Sequence, residues 1–179
     1  ISDKYVVLDN VDYRKNYFQN RNQILTGQGA KYLTVPVNSK DYRLIKDVRI
    51  RHDSNWKKKH LSAIKQSYAK SFMYSTHIDF FISLYEIEYE LLIDFNMAII
   101  NYVRNYLEIN TPIIRSSELN VSGKSTNLLV AICKSLNADV YLSGRDGREY
   151  LDVSEFENND INVVYQDFQQ EPYKQLNSK

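Results

Sequence analysis

The chain has 179 residues, enough for one sizeable core and short for two comfortable domains. Lys and Arg number 23 against 22 Asp and Glu, so the net charge is only +1, and nothing in that balance favours a nucleic acid or an anionic membrane as partner. With 43% hydrophobic and 25% charged residues, one cysteine (Cys133) and no apolar run long enough to span a bilayer, the sequence excludes a disordered chain, an internal disulfide framework and a membrane-spanning helix, and it fits a reducing cytosol.

Taken in chain order, KYVVL (4–8) predicts a buried strand and KYLTVPV (31–37) a second, which Pro36 places at an edge or a strand end. TGQGA supplies the turn between NRNQIL and that strand. Alternation in LIKDVRI (44–50) predicts a third, edge strand. A helix follows, with Asp53 and Ser54 as candidate N-caps and Trp56, His60, Leu61, Ile64 and Tyr68 on one face. A long helical stretch then runs from about Thr76 to Ile109, with a break near Glu90 and an end at Asn110-Thr111-Pro112.

The last third alternates regularly: strand PIIRSS, helix STNLLVAICKSLN, strand DVYLSG, a turn-rich helix through REYLDVSEFEN, and strand INVVYQDF. That rhythm predicts βαβ units. The whole reads as a single α/β domain over 1–179, Rossmann-like, with a mostly parallel sheet and a helical excursion over about 54–109.

Open α/β sheets bind ligands at the carboxyl ends of their strands, and two polar clusters fall at such ends. The first is DNVDYRKNYFQNRN, residues 9–22, directly after the first strand. Its Asn20-Arg21-Asn22 combines two groups that donate and accept with one planar cation, a set suited to directional hydrogen bonding rather than to solubility. The second is YLSGRDGREY, residues 141–150. There Ser143, Gly144 and Gly147 lead into a helix start, and Arg145 and Arg148 add charge-assisted donors for an anion. A plain turn needing glycine for a positive φ explains that second cluster equally well.

SGKST (122–126) resembles part of a phosphate-binding loop, but the required earlier glycine is Glu118, so Ser122 or Ser125 is read as a helix N-cap. His60, beside Lys57-Lys58-Lys59, is a hydrogen-bonded half-buried histidine or a general base, while His52 and His77 have no supporting neighbours. No Cys, His and carboxylate spacing points to a metal site. Cys133 shares an apolar stripe with Leu129, Ile132 and Leu136 and reads as a core thiol.

VVLDNVDYRKNYFQNRNQI, YLTVPV, WKKKHLSAIKQSYAKS, LLIDFN, NYLEI, ADVYLSGRDGREYLD and EPYKQ, in this order and spacing, resemble the WbqC-like protein family over nearly the whole chain. The chain departs from the family pattern at Asn10, where the family has a second Asp, and at Asp12, where it has Gln. Family members also begin with a further strand and end with a further helix, so the resemblance implies a family core trimmed at each end. The family's setting among genes for O-antigen and other surface polysaccharides implies a cytoplasmic transferase. Its substrate would be an amino sugar or nucleotide-activated sugar, and the group moved an acyl or aminoacyl group.

On that reading, the partners are a small-molecule substrate such as a sugar nucleotide and an acyl donor, and no cofactor is named by the residues. Asp9 and His60 are the candidate catalytic residues. Asp12, Asn20, Arg21, Asn22, Ser143, Gly144 and Arg145 are the candidate substrate-binding residues. A non-catalytic module that binds a nucleotide sugar or a partner protein is the alternative, and nucleotidyl transfer ranks last because only Arg21, Arg145 and Arg148 could clamp a diphosphate.

Overall fold

The first strand, β1 (Tyr5–Val7), runs parallel to β4 (Ile113–Arg115), with Tyr5 opposite Ile113 and Val7 opposite Arg115. This is seen in a computed structural model that describes residues 2–38 and 44–176. Parallel neighbours need a long crossover, and here everything between Asp9 and Thr111 intervenes. The chain forms two compact units: Ile1–Asp9 with Thr111–Glu171, and Asn10–Asn110 with Pro172–Lys179.

In the first unit, α4 (Ser125–Ser135) leads to β5 (Val140–Ser143), and α5 (Val153–Glu157) leads to β6 (Asn162–Tyr165). β5 and β6 pair in parallel, Val140 opposite Asn162 and Ser143 opposite Tyr165. The core is built from one stripe of α4 (Leu129, Val130, Cys133) closed by Phe156 and Ile161, with Leu8, Tyr141 and Val163 packed against it. Tyr141 stacks on Phe156 with centroids 5.0 Å apart. Cys133 is buried in this core as expected, and burial pushes its thiol up.

In the second unit, β2 (Arg21–Thr26) and β3 (Gly29–Thr34) make an antiparallel hairpin, Arg21 opposite Thr34. Gly29 takes φ +106°, a conformation that side chains resist, and this allows the two-residue turn Gly27-Gln28. Three helices follow: α1 (Trp56–Tyr68), α2 (Tyr74–Glu86) and α3 (Leu92–Tyr106). The buried face of α1 is Trp56, His60, Ala63, Ile64 and Ser67, the 3.6-residue period in side chains. Its Tyr68 hydroxyl accepts from the Leu25 N–H of β2 at 3.1 Å, which pins the helix to the hairpin. The expected break in the long helical stretch is Ile87–Leu91, where the backbone is extended and bonds sideways: Glu90 O accepts from Ile50 N–H and Val48 O from Leu92 N–H, both at 2.8 Å.

Several expectations need correction. LIKDVRI is not a continuous strand. Ile45–Asp47 is a 3-10 turn closed by Asp47 N–H to Leu44 O and Val48 N–H to Ile45 O, and only Leu44, Arg49 and Ile50 make isolated bridges. Its alternation is real only at Val48 and Ile50, which are buried. Neither Asp53 nor Ser54 caps α1; the cap position is Asn55, with no side-chain bond, and Asp53 pairs with Arg51. α4 likewise starts at Lys124 without a side-chain cap from Ser122 or Ser125. Among the described residues, the strands form two parallel ladders and one antiparallel ladder, a mixed α/β arrangement with short parallel pairs. No described helix is long and apolar enough to cross a membrane.

Candidate functional site

Asp9, at the carboxyl end of β1, is fully buried. Its Oδ1 accepts from Ser116 Oγ at 3.1 Å and from the Ser117 N–H at 2.8 Å, its Oδ2 accepts from Ser117 Oγ at 2.7 Å, and its own N–H donates to Ser116 Oγ at 3.1 Å. One carboxylate therefore ties the ends of β1 and β4 together. The same unit holds Ser143, Gly144 and Arg145 at the end of β5. Ser143 is buried and its Oγ donates to Gly144 O at 3.0 Å, while the exposed Arg145 guanidinium donates to Phe168 O at 2.8 Å. Arg148 lies over the Tyr165 ring at 4.4 Å. Arg145 and Arg148 both contact the chain from β6 onward. The expected helix start is a five-residue 3-10 turn, Arg145–Glu149, and Gly144 has an ordinary φ of −63°.

The other predicted residues lie in the second unit. A cleft of about 820 Å³ opens there, lined by the hairpin and by faces of α1, α2 and α3. Asn20, Arg21, Asn22 and His60 all line it, so the Asn-Arg-Asn run and the histidine come together as a set. Exposed Asp12 does not line it; it makes an antiparallel bridge with Leu44. Arg21 stacks its guanidinium on Tyr32, 4.6 Å from the centroid. Exposed Asn22 accepts the Gln23 N–H through Oδ1 at 2.8 Å. Buried Asn20 donates from Nδ2 to Val35 O at 3.0 Å, and its Oδ1 has no hydrogen-bond partner among the described residues.

His60 is buried against Trp56, whose ring lies edge-on at 5.2 Å. Burial pushes the imidazole down to about 4; a hydrogen bond with the Thr34 backbone opposes this, and Lys31 adds to it. At neutral pH the ring is uncharged, with Nδ1 3.3 Å from the Tyr85 hydroxyl. Burial likewise raises the Tyr85 phenol, which keeps its proton. A second cleft, about 660 Å³, is lined by residues of β3 and α1, among them Trp56, His60, Lys31, Lys58 and Lys59. His60 borders both clefts, one apolar and one basic.

Sequence reasoning missed several lining side chains. His77 was read as lacking neighbours, yet its Nδ1 is 2.8 Å from the Tyr102 hydroxyl and its ring 4.7 Å from that of Tyr106. Tyr102 also stacks on Phe80 at 3.6 Å. The available signal was the α2 stripe itself, since His77 stands four residues before Phe81, on the face that carries Ile78 and Tyr85. Asn96, whose Nδ2 donates to Gln19 O at 2.9 Å, gave no comparable signal, because its contact spans distant segments. Among the described residues no group of three His, Cys, Asp or Glu side chains could hold a metal ion.

Comparison with known proteins agrees with the motifs. The family model described as "WbqC-like protein family" matches residues 1–179. The chain is 29% identical over 178 residues to "Uncharacterized protein Rv1507c" of Mycobacterium tuberculosis (strain ATCC 25618 / H37Rv), covering 97% of this chain and 77% of that protein. No solved structure matches.

Proposed function

The chain belongs to the WbqC-like protein family, and on that premise we propose that it is a cytoplasmic transferase of bacterial surface-polysaccharide synthesis. The reaction moves an acyl or aminoacyl group from an ester or thioester donor onto the amine of an amino sugar or nucleotide-activated sugar. The C–N bond forms, the donor's acyl C–O or C–S bond breaks, and the alcohol or thiol leaves with the proton that the amine gives up. The observation that supports this reading is the position of His60 at the border of two clefts, the second of which is lined by Lys31, Lys58 and Lys59. A transfer reaction needs two substrates meeting at one proton acceptor, and the apolar cleft suits an acyl group as the basic one suits a phosphate.

Lys31, Lys58 and Lys59 hold the phosphate of the activated sugar, joined by Arg21 of the first cleft, whose guanidinium lies over Tyr32 of the second, and Asn20 and Asn22 orient polar groups. The neutral imidazole takes the proton of the attacking amine, which replaces the Tyr85 hydroxyl as its partner. Asp9 is a structural residue of the first unit, because its oxygens are taken up by Ser116 and Ser117. The fold that accompanies this reading is Rossmann-like, with the ladders of the first unit ordered β4-β1-β5-β6. Leu8 supports it, since it follows β1 and packs with Tyr141 of β5 and Val163 of β6 on one core. Ser143, Gly144 and Arg145 then stand at a strand end, where that architecture places ligands.

A non-catalytic module that binds a nucleotide sugar or a partner protein is the second reading. It is favoured by His60 having both a tyrosine and a backbone partner, and by the lack of a nucleophile beside it in the described contacts. Thermal-shift titration with nucleotide sugars separates these ideas, since a ligand of the folded state alone raises the melting point. A rise abolished by Arg21→Ala, together with acyl transfer abolished by His60→Gln, is the expected pair. A ligand shift without any transfer in the presence of acyl donors leaves the binding module; no shift at all removes the sugar-nucleotide reading.

A further inference from the structure

Asn20 carries an inference about what fills the apolar cleft. Its side chain is more than nine-tenths buried, and Nδ2 is committed to Val35 O, which fixes the amide orientation and leaves Oδ1 as a buried acceptor without a donor among the described residues. An orphaned buried acceptor is costly, so a ligand that supplies the donor recovers that free energy on binding. The neighbouring backbone acceptors are already taken: Val35 O by Asn20 itself and Gln19 O by Asn96. The rest of the wall is chiefly apolar and aromatic, including Ile64, Phe81, Phe95 and Ile99.

We propose that this cleft binds a neutral secondary amide with an apolar or aromatic body, its N–H donated to Asn20 Oδ1. A hydroxyl carries its lone pairs on the donating atom itself, against the buried Asn20, whereas an amide separates its N–H donor from its carbonyl acceptor. An ammonium would donate too, but Arg21 on the same lining repels a cation and suits the amide carbonyl as acceptor. Asn20 lines the cleft while its Oδ1 is shut off from solvent, so the amide reaches that oxygen through a side-chain rearrangement. This deepens the transferase reading, because it assigns an amide to the acyl or aminoacyl donor, and it rests on that reading only for the word donor.

Binding is testable without turnover, because Trp56 is the single tryptophan and its ring lies 5.7 Å from Phe95 of the cleft wall. The full chain is titrated with hexananilide and with phenyl hexanoate, a pair of equal shape that differs in N–H against O, following Trp56 emission. The expected result is at least tenfold tighter binding of the anilide, and loss of that preference in Asn20→Leu with the emission of the free protein unchanged. Equal affinity for both probes, or no binding of either, overturns the proposal on the wild-type chain alone, whether or not the variant folds. Asn20→Leu that keeps the anilide preference also overturns it. The two readings fail separately. Anilide preference without any nucleotide-sugar shift keeps this site and removes the sugar-nucleotide reading, and a nucleotide-sugar shift without anilide preference does the reverse.

Discussion

His60 makes a pH prediction at the scale of one residue. Its folded pKa of about 4 lies below its ordinary 6.5, so the unfolded chain binds more protons between those values. Stability from this group is therefore complete above about pH 6.5 and is lost as the pH falls towards 4, by on the order of 3 kcal/mol. Urea midpoints at pH 7.5 and 4.5 should differ by less in His60→Gln than in the native chain; equal differences would show that the imidazole is not the group responsible. Asp9 makes a second prediction. Asp9→Ala removes the acceptor of the buried Ser116 hydroxyl and of the exposed Ser117 N–H and hydroxyl, and is expected to destabilise by about 1–3 kcal/mol. Asp9→Asn keeps one acceptor oxygen and should cost visibly less. If the two variants unfold at the same urea concentration, the hydrogen bonds are not what Asp9 contributes.

At the scale of elements, the turn after β5 distinguishes two glycines that look alike in sequence. A Cβ at Gly144 would meet nothing nearer than the Gln166 side chain at 4.0 Å, so Gly144→Ala should change stability by less than about 0.5 kcal/mol. A Cβ at Gly147 would overlap Ser143 Oγ and come within 3.0 Å of Leu151 Cδ1, so Gly147→Ala should cost about 1–3 kcal/mol. Equal midpoints for the two variants would refute that assignment. The sequence placed glycine in this turn for positive φ or for an anion, whereas close packing on a buried serine is what holds Gly147. The same contrast runs through the fold. Helices with a strong period, α1 and α4, were legible because burial is repeated along one face. KYVVL, by contrast, was read as a buried strand and is a strand with Tyr5 exposed and Val6 and Val7 only half-buried. LIKDVRI was misread because hydrogen bonds local to Leu44–Val48 override a short alternation. The polar rim of the cleft was legible in Asn20-Arg21-Asn22, but its aromatic wall was not, since Phe81, Phe95 and Tyr102 converge only when three helices pack.

At the scale of the molecule, the two units differ in how the chain supplies them. All described secondary structure of the second unit lies within Asn10–Asn110, including the hairpin, the three helices and a core built on Val48, Trp56, Leu84, Leu92 and Phe95. The excised segment 10–110 is therefore expected to unfold cooperatively in urea with Trp56 emission shifted to the blue of free tryptophan. Emission at the free-tryptophan position without a cooperative transition would refute its independence. The first unit is discontinuous: β4 has its hydrogen-bonded partner in β1, and Ser116 and Ser117 have their acceptor in Asp9. Segment 111–171 alone lacks both and should stay unfolded under the same conditions. Because β1 and β4 are parallel, Asp9 ends at the far side of the ladder from Thr111, so rejoining them needs a flexible linker of roughly ten residues to run back along the strand. Residues 1–9 joined to 111–171 by such a linker should regain the far-ultraviolet signal of a folded α/β unit, and the same fusion with Asp9→Ala should regain less. If 111–171 folds equally well without the added strand, the β1–β4 ladder and its buried carboxylate are not what completes that unit.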